Sequence, residues 1–246
     1  DAHIGRQVRW GGVIVGVVDS GIDVTHEDFF DASGNARIRY LWDQNTGEVC
    51  TASGIEAGTC SHEDTNGHGT HVAGTAAGNG RATGNGYPAR HFVGVAPAAD
   101  IIGVATTFYD ADILDGAAWI FEKAEQLGMP AVINMSLGGH AGPHDGTDVF
   151  DIGLDALAGP GHVVVVSAGN EGEDLIHNQA DSSGSDVVFT FGHDQCSPPP
   201  SLNNYIIFDI WHGGGVSYKV NVTEPGQNPT SYTWSVGEHS SNGSYT

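Results

Sequence analysis

Apolar residues along this chain fall into two textures, with a change near Gly172. Before it, short unbroken apolar runs alternate with stretches whose apolar positions recur at helical spacing. "GVIVGVVDSG" is a β-branched run closing on Asp19. Its lack of polar interruption predicts a strand covered on both faces, as in a parallel sheet. "HGTHVAGTAAG" has small and apolar residues at helical spacing, and "ADIIGVA" is a second strand-like run. In "DADILDGAAWIFEKAEQLG", Ile113, Ala117, Ile120, Phe121 and Ala124 share one helical face, and Gly128 supplies the stop. "PAVINMSLGG" and "GHVVVVSAGNEG" predict two more buried strands, with a helix between them over "HDGTDVFDIGLDALA". Strands alternating with helices predict an α/β fold with a mainly parallel sheet flanked by helices.

After Gly172 no helical pattern appears. "DVVFTFGH", "NYIIFDIWH", "VSYKVNV" and "SYTWSVG" are short β runs, broken at "SPPP", "HGGGV" and "TEPGQNP". The last two alternate: Val216, Tyr218, Val220 and Val222 against polar neighbours, then Tyr232, Trp234 and Val236. This predicts a first domain over residues 1–180 and an incomplete-looking β-sandwich-like segment over 181–246. There is no repeat of fixed period.

Three of the predicted strands end in polar sets: Asp19, then Asn134 with Ser136, then Asn170. Ligands of open α/β sheets sit beyond the carboxyl ends of the strands. Asp19, Asn170 and the "NGHGTHVAG" segment can therefore meet at one edge. An aspartate beside a histidine fixes its tautomer and stabilises its charged form, and an asparagine amide can donate to a developing oxyanion. A competing reading makes His68 and His71, with His62 or Asp64, a zinc site. Against it, "HGTH" lacks the glutamate of an HExxH helix, and zinc leaves "SAGNEG" unexplained.

Taken in order, "VVDSGID", "NGHGTHVAGTAAG", "GVAPAADI", "INMSLGG" and "VVVVSAGNEG" resemble the subtilisin-like serine proteases, over roughly Gly11 to Gly172. The resemblance implies that Asp19 orients the base, that His68 is the general base, and that Asn170 donates to the oxyanion. It places Ser136, Leu137, Gly138 and Gly169 around the substrate pocket. It leaves His71, one helical turn on, to pack or hydrogen-bond within the fold. Asp28, in "THEDFF", matches a position that often binds calcium in that family, although the usual calcium loop is replaced here by "GNGRATGNGYPARHF". A solvated Asp28 is the plainer alternative.

The family's nucleophile, in a "GTSMA"-type turn, has no counterpart between Glu171 and Thr246. The β-rich tail and "RIRYLWDQ" instead resemble the branch with a jelly-roll domain inserted between the asparagine and the serine. This implies a serine endopeptidase acting on polypeptides, with the serine on a complementary C-terminal fragment. The alternative is an inactive pseudoprotease that binds peptides or a partner. A surface-binding module in the tail would rest on Trp211, Trp234 and the tyrosines, which alternate as core residues do.

Composition narrows the partners. Among 246 residues there are 8 Lys and Arg against 30 Asp and Glu, a net charge of −22. Such a surface repels phosphate backbones, which argues against nucleic-acid binding. No apolar run reaches the length of a membrane span, and no organic cofactor motif is present. Opening on "DAHIGRQ" rather than Met suits a mature or trimmed product, and an extracellular location is expected. Cys50 and Cys60 bracket a small-residue loop and could pair, or all three cysteines, Cys196 included, could be free thiols.

Overall fold

The structure, a computed structural model, describes residues 11–84, 86–173, 176–181, 187–190, 209–211, 218–222 and 230–234. Its contacts divide the chain into two units: Asp1–His140 with His144–Gly172, and Ala141–Pro143 with Glu173–Thr246.

The first unit is built on a six-stranded sheet. In chain order its strands are β1 (Ile14–Asp19), β2 (Ile38–Asp43), β3 (Val49–Thr51), β4 (Asp100–Ala105), β5 (Ala131–Met135) and β6 (His162–Val166). Their order across the sheet is β3-β2-β4-β1-β5-β6. All neighbours run parallel except the edge strand β3, which is antiparallel to β2. Helices α1 (Ala52–Glu56), α2 (His68–Ala77), α3 (Asp110–Gln126) and α4 (Val149–Leu157) complete the unit.

β1 lies between β4 and β5 and is covered on both faces, which is why its sequence shows no polar alternation. On one face Ile14 and Val18 meet Ile113, Ala117, Ile120, Phe121 and Ala124, the predicted stripe of α3, all buried. On the other face Val17 clusters with Ile22, Leu41, Ile101 and the α2 residues Ala73 and Ala77. Asp110 and Asp112 in the first turn of α3 and Lys123 in its last complement the helix dipole.

Two expectations change. The run "HVVVV" does form β6, but β6 is an edge strand rather than a buried one. Val163, Val165 and Val166 are exposed, as are Val132 on β5 and Val149 and Ile152 on α4. An apolar run identifies a strand, whereas its burial depends on what packs against it. Conversely β2, in "RIRYLWDQ", was not anticipated as a strand, because its arginines interrupt the apolar pattern.

In the second unit β7 (Tyr218–Val222) and β8 (Thr230–Trp234) pair antiparallel, in agreement with the two alternating runs. No strand forms over residues 187–190 or 209–211. The rest of "NYIIFDIWH", "SPPP" and Cys196 lie outside the described residues.

Candidate active site

Asp19 is the last residue of β1, and His68 is the first of α2. Parallel packing of β1, β4 and β5, with α2 against β1, brings the helix start to the carboxyl edge of the sheet. There His68 Nδ1 lies 2.7 Å from Asp19 Oδ1. The carboxylate side chain is 1% exposed and the imidazole 54%. Pairing with a carboxylate places the ring proton on Nδ1, so Nε2 keeps a lone pair on a ring that solvent can reach. Asp19 Oδ1 also accepts the Ser20 N–H at 2.7 Å. Asp19 Oδ2 is buried with no partner among the described residues.

The helix start has no cap of its own, since Gly67 stands at the N-cap with φ +80°. Its free N–H groups are met from outside the helix. Ser20 Oγ accepts from Gly69 N at 2.9 Å, Asp64 Oδ2 from Thr70 N at 3.0 Å, and Asn66 Oδ1 from His68 N at 3.3 Å. Asp64 also accepts from Gly67 N at 3.0 Å, Ser20 Oγ at 2.9 Å and Thr70 Oγ1 at 2.6 Å. Burial raises the Asp64 pKa, but the bonds from Thr70, Gly67 and Ser20 outweigh it and hold the carboxyl below its ordinary range. Asp64 therefore splints the Asp19 turn to the His68 helix. The sequence named Asp64 only as a rival zinc ligand. Its place four residues before His68, next to a helix start, was the available signal.

Gly69 explains the glycine after the histidine. A Cβ there would collide with the Gly21 carbonyl and crowd Asp19 Cβ at 3.1 Å. Only a residue without a side chain lets α2 approach β1 closely enough for the His68–Asp19 contact.

The other expected residues lie along the same edge. Ser136, Leu137 and Gly138 follow directly on β5, and Asn134 Nδ2 donates to Ser136 Oγ at 2.9 Å. Ser167 N continues the β5–β6 ladder to Met135 O at 3.0 Å, and Ser167 Oγ donates to Leu137 O at 3.1 Å. Gly169, with φ +85°, turns the chain after β6, and Asn170 follows it, exposed. The Asn170 N–H donates to Glu171 Oε2 at 2.8 Å. His71 does not pack as expected, for its side chain is exposed on α2.

The proposed zinc set is dispersed. His62 pairs with Asp43 at 3.0 Å and is buried, and Asp64 is committed to the helix start. Among the described residues one group has metal-ligand spacing, Glu48 with Cys50 and Cys60, and the two cysteines form a disulfide with Cα atoms 5.4 Å apart.

Around Asp28 the chemistry is that of anchored guanidinium groups. Arg37 is buried and donates to the carbonyls of Ala99 at 2.7 Å, Asp28 at 2.6 Å and Ala77 at 2.6 Å. Arg81 donates to the carbonyls of Phe30 and Asp31, and Asp28 Oδ1 accepts from Ala82 N at 2.7 Å. The carbonyls are thus taken by guanidinium groups and Asp28 Oδ1 by a backbone amide, whereas calcium takes about six to eight oxygen ligands.

A sequence model of the subtilase family matches residues 11–243. The chain belongs to the subtilase family. Relatives include a cuticle-degrading serine protease of Orbilia oligospora, 27% identical over 82% of this chain and 41% of that protein. Subtilisin DY of Bacillus licheniformis is 32% identical over 67% of this chain and 49% of its own length. Among solved structures the CspB protease of Clostridium perfringens superposes with a TM-score of 0.58 at 32% identity, over 67% of this chain and 38% of that one. The chain thus spans less than half the length of each of these subtilases. Among the described residues no helix is long and apolar enough to cross a membrane.

Proposed function

We propose that this chain supplies the Asp, His and Asn of a subtilisin-type serine endopeptidase. The observation that carries the reading is the 2.7 Å contact between a buried carboxylate and an accessible imidazole. In this mechanism a serine hydroxyl attacks the scissile carbonyl while His68 Nε2 takes its proton. Asp19 stabilises the resulting imidazolium, and Asn170 donates to the oxyanion. His68 then returns the proton to the leaving amine, and water repeats the cycle on the acyl-enzyme. Ser136, Leu137, Gly138 and Gly169 hold the polypeptide substrate, the first three through backbone groups in extended pairing.

The serine is proposed to lie on a complementary C-terminal stretch, either following this one or on a second polypeptide. Support comes from the absent "GTSMA"-type turn and from the exposed valines of β5 and β6, an apolar surface that further chain would cover. The antiparallel pair of β7 and β8 supports a jelly-roll insertion preceding that serine. The names of the relatives and the Cys50–Cys60 disulfide support an extracellular location. No step is routed through calcium.

A fluorophosphonate probe applied to the natural protein, followed by peptide mass spectrometry, tests the reading. Labelling of one serine, lost in His68→Ala, is expected. An intact gene product that stays unlabelled would overturn it and leave the alternative, a pseudoprotease scaffold that binds peptides in the same cleft.

A further inference from the structure

The segment leading into His68 is anchored at successive residues to the β2–β3 edge of the sheet. Cys60 is bonded to Cys50 of β3. Ser61 donates through N and Oγ to Glu48 Oε1 and Oε2, at 2.9 and 2.6 Å. His62 Nδ1 lies 3.0 Å from Asp43 Oδ2 at the end of β2, and Asp64 reaches Ser20, Gly67 and Thr70.

Within this strap His62 occupies a singular place. Its side chain is 3% exposed, and Nε2 is buried without a partner among the described residues. The ring lies so close to Gly21 that a Cβ there would overlap Nε2 and stand 2.6 Å from Cε1. Gly21 has φ +121° and belongs to the turn that begins at Asp19, and the carbonyl of Gly21 meets Gly69 on the far side. The Asp19–Gly21 turn is therefore held between the His62 ring and the first turn of α2.

We infer that His62 is a positioning residue for the Asp19–His68 pair: locked by Asp43, its imidazole is the back wall that fixes where the Asp19 carboxylate points. The inference rests on the reading of Asp19 and His68 as the catalytic pair. Catalytic geometry tolerates little displacement, so a wall that yields when the ring is removed lets the carboxylate drift. A histidine that merely fills the core would lower stability and leave the pair unchanged.

The test uses the low-field Nδ1 proton resonance of His68 in the ¹⁵N-labelled chain, with kcat and KM of the serine-bearing protein beside it. In His62→Ala the resonance should move or broaden, and kcat should fall about tenfold or more while KM stays within about twofold. His62→Gln, whose amide can still donate to Asp43 and fill part of the space, should recover most of both. It also serves if His62→Ala does not fold. Folded His62 variants with unchanged resonance and kcat would overturn the proposal. Asp19→Asn is the control: if it too leaves resonance and kcat unchanged, the catalytic reading itself has failed, whereas failure at His62 alone leaves that reading standing.

Discussion

The His68–Asp19 and His62–Asp43 pairs use the same two residue types at similar separations, 2.7 and 3.0 Å. Each pairs through the Nδ1 atom, and both rings lie near the Gly21 turn. Their surroundings divide them. His68 is 54% exposed above a carboxylate that is 1% exposed, whereas His62 and Asp43 are 3% and 11% exposed. A base needs a free nitrogen that a substrate can reach, together with a partner that does not leave. Only the first pair offers both. In the second pair a buried ring is held by a buried carboxylate through Nδ1 while its Nε2 is shut away from solvent, and the outcome is a rigid support. Hydrogen-bond chemistry alone does not make a histidine catalytic, and access to Nε2 is what differs here.

The largest test of this contrast is a matched exchange in the serine-bearing enzyme. Asp19→Asn should lower kcat by about 10⁴-fold, the scale at which serine-protease triads lose turnover when the histidine is held in the wrong tautomer. Asp43→Asn keeps the shape and an acceptor, and its effect on kcat should be far smaller. Equal losses would erase the distinction between the pairs. Asn170→Ala should reduce kcat by about 10²–10³-fold with little change in KM. A change confined to KM would remove Asn170 from the oxyanion role.

Stability measurements sharpen the other half. Arg37→Leu strands the buried carbonyls of Ala99 and Ala77 and leaves that of Asp28 with the Asn79 N–H alone; it should cost about 3 kcal/mol, read by denaturant melting, while added calcium should leave the melting curve of the natural chain where it was. Reduction of Cys50–Cys60, which closes a loop with a sequence separation of 10, should cost about 2.5 kcal/mol by the same measurement.

The smallest effect is a pH dependence. Burial raises the Asp43 pKa, but the bonds from His62, Asn45 and Thr46 outweigh it, and Asp43, like Asp64, titrates below its ordinary range when folded. Near and below the ordinary carboxylate value the unfolded chain therefore binds more protons than the folded one. Stabilisation from both groups is complete above about pH 4 and is lost as pH falls through the folded values. The stability gap between the natural chain and Asp64→Asn should shrink as pH is lowered from 6 to about 3. A gap that holds constant would mean that the Asp64 charge contributes nothing.

How far the sequence reached differs by element. β1, β4, β5, α2, α3 and α4 were legible, because each is written in a local pattern: β-branched runs for strands, and the Ile113–Ala124 stripe with Gly128 for α3. β2 was not, because Arg37 just before it and Arg39 within it interrupt the apolar pattern. Only three carbonyls brought together from distant segments make a buried guanidinium at Arg37 acceptable. β6 was found but misplaced in depth, and His71, expected to pack or hydrogen-bond within the fold, is exposed.

The ordered motifs by themselves settled the family and nominated Asp19, His68 and Asn170, because side-chain chemistry and spacing are properties of the chain. Tertiary structure decided which histidine has an open nitrogen, that Asp64 splints the helix start, and that Cys50 and Cys60 pair. It also gave Arg37 the carbonyls near Asp28. Burial and partnership depend on segments far apart in sequence, and only the folded packing of β1, β2 and α2 brings those segments within bonding distance.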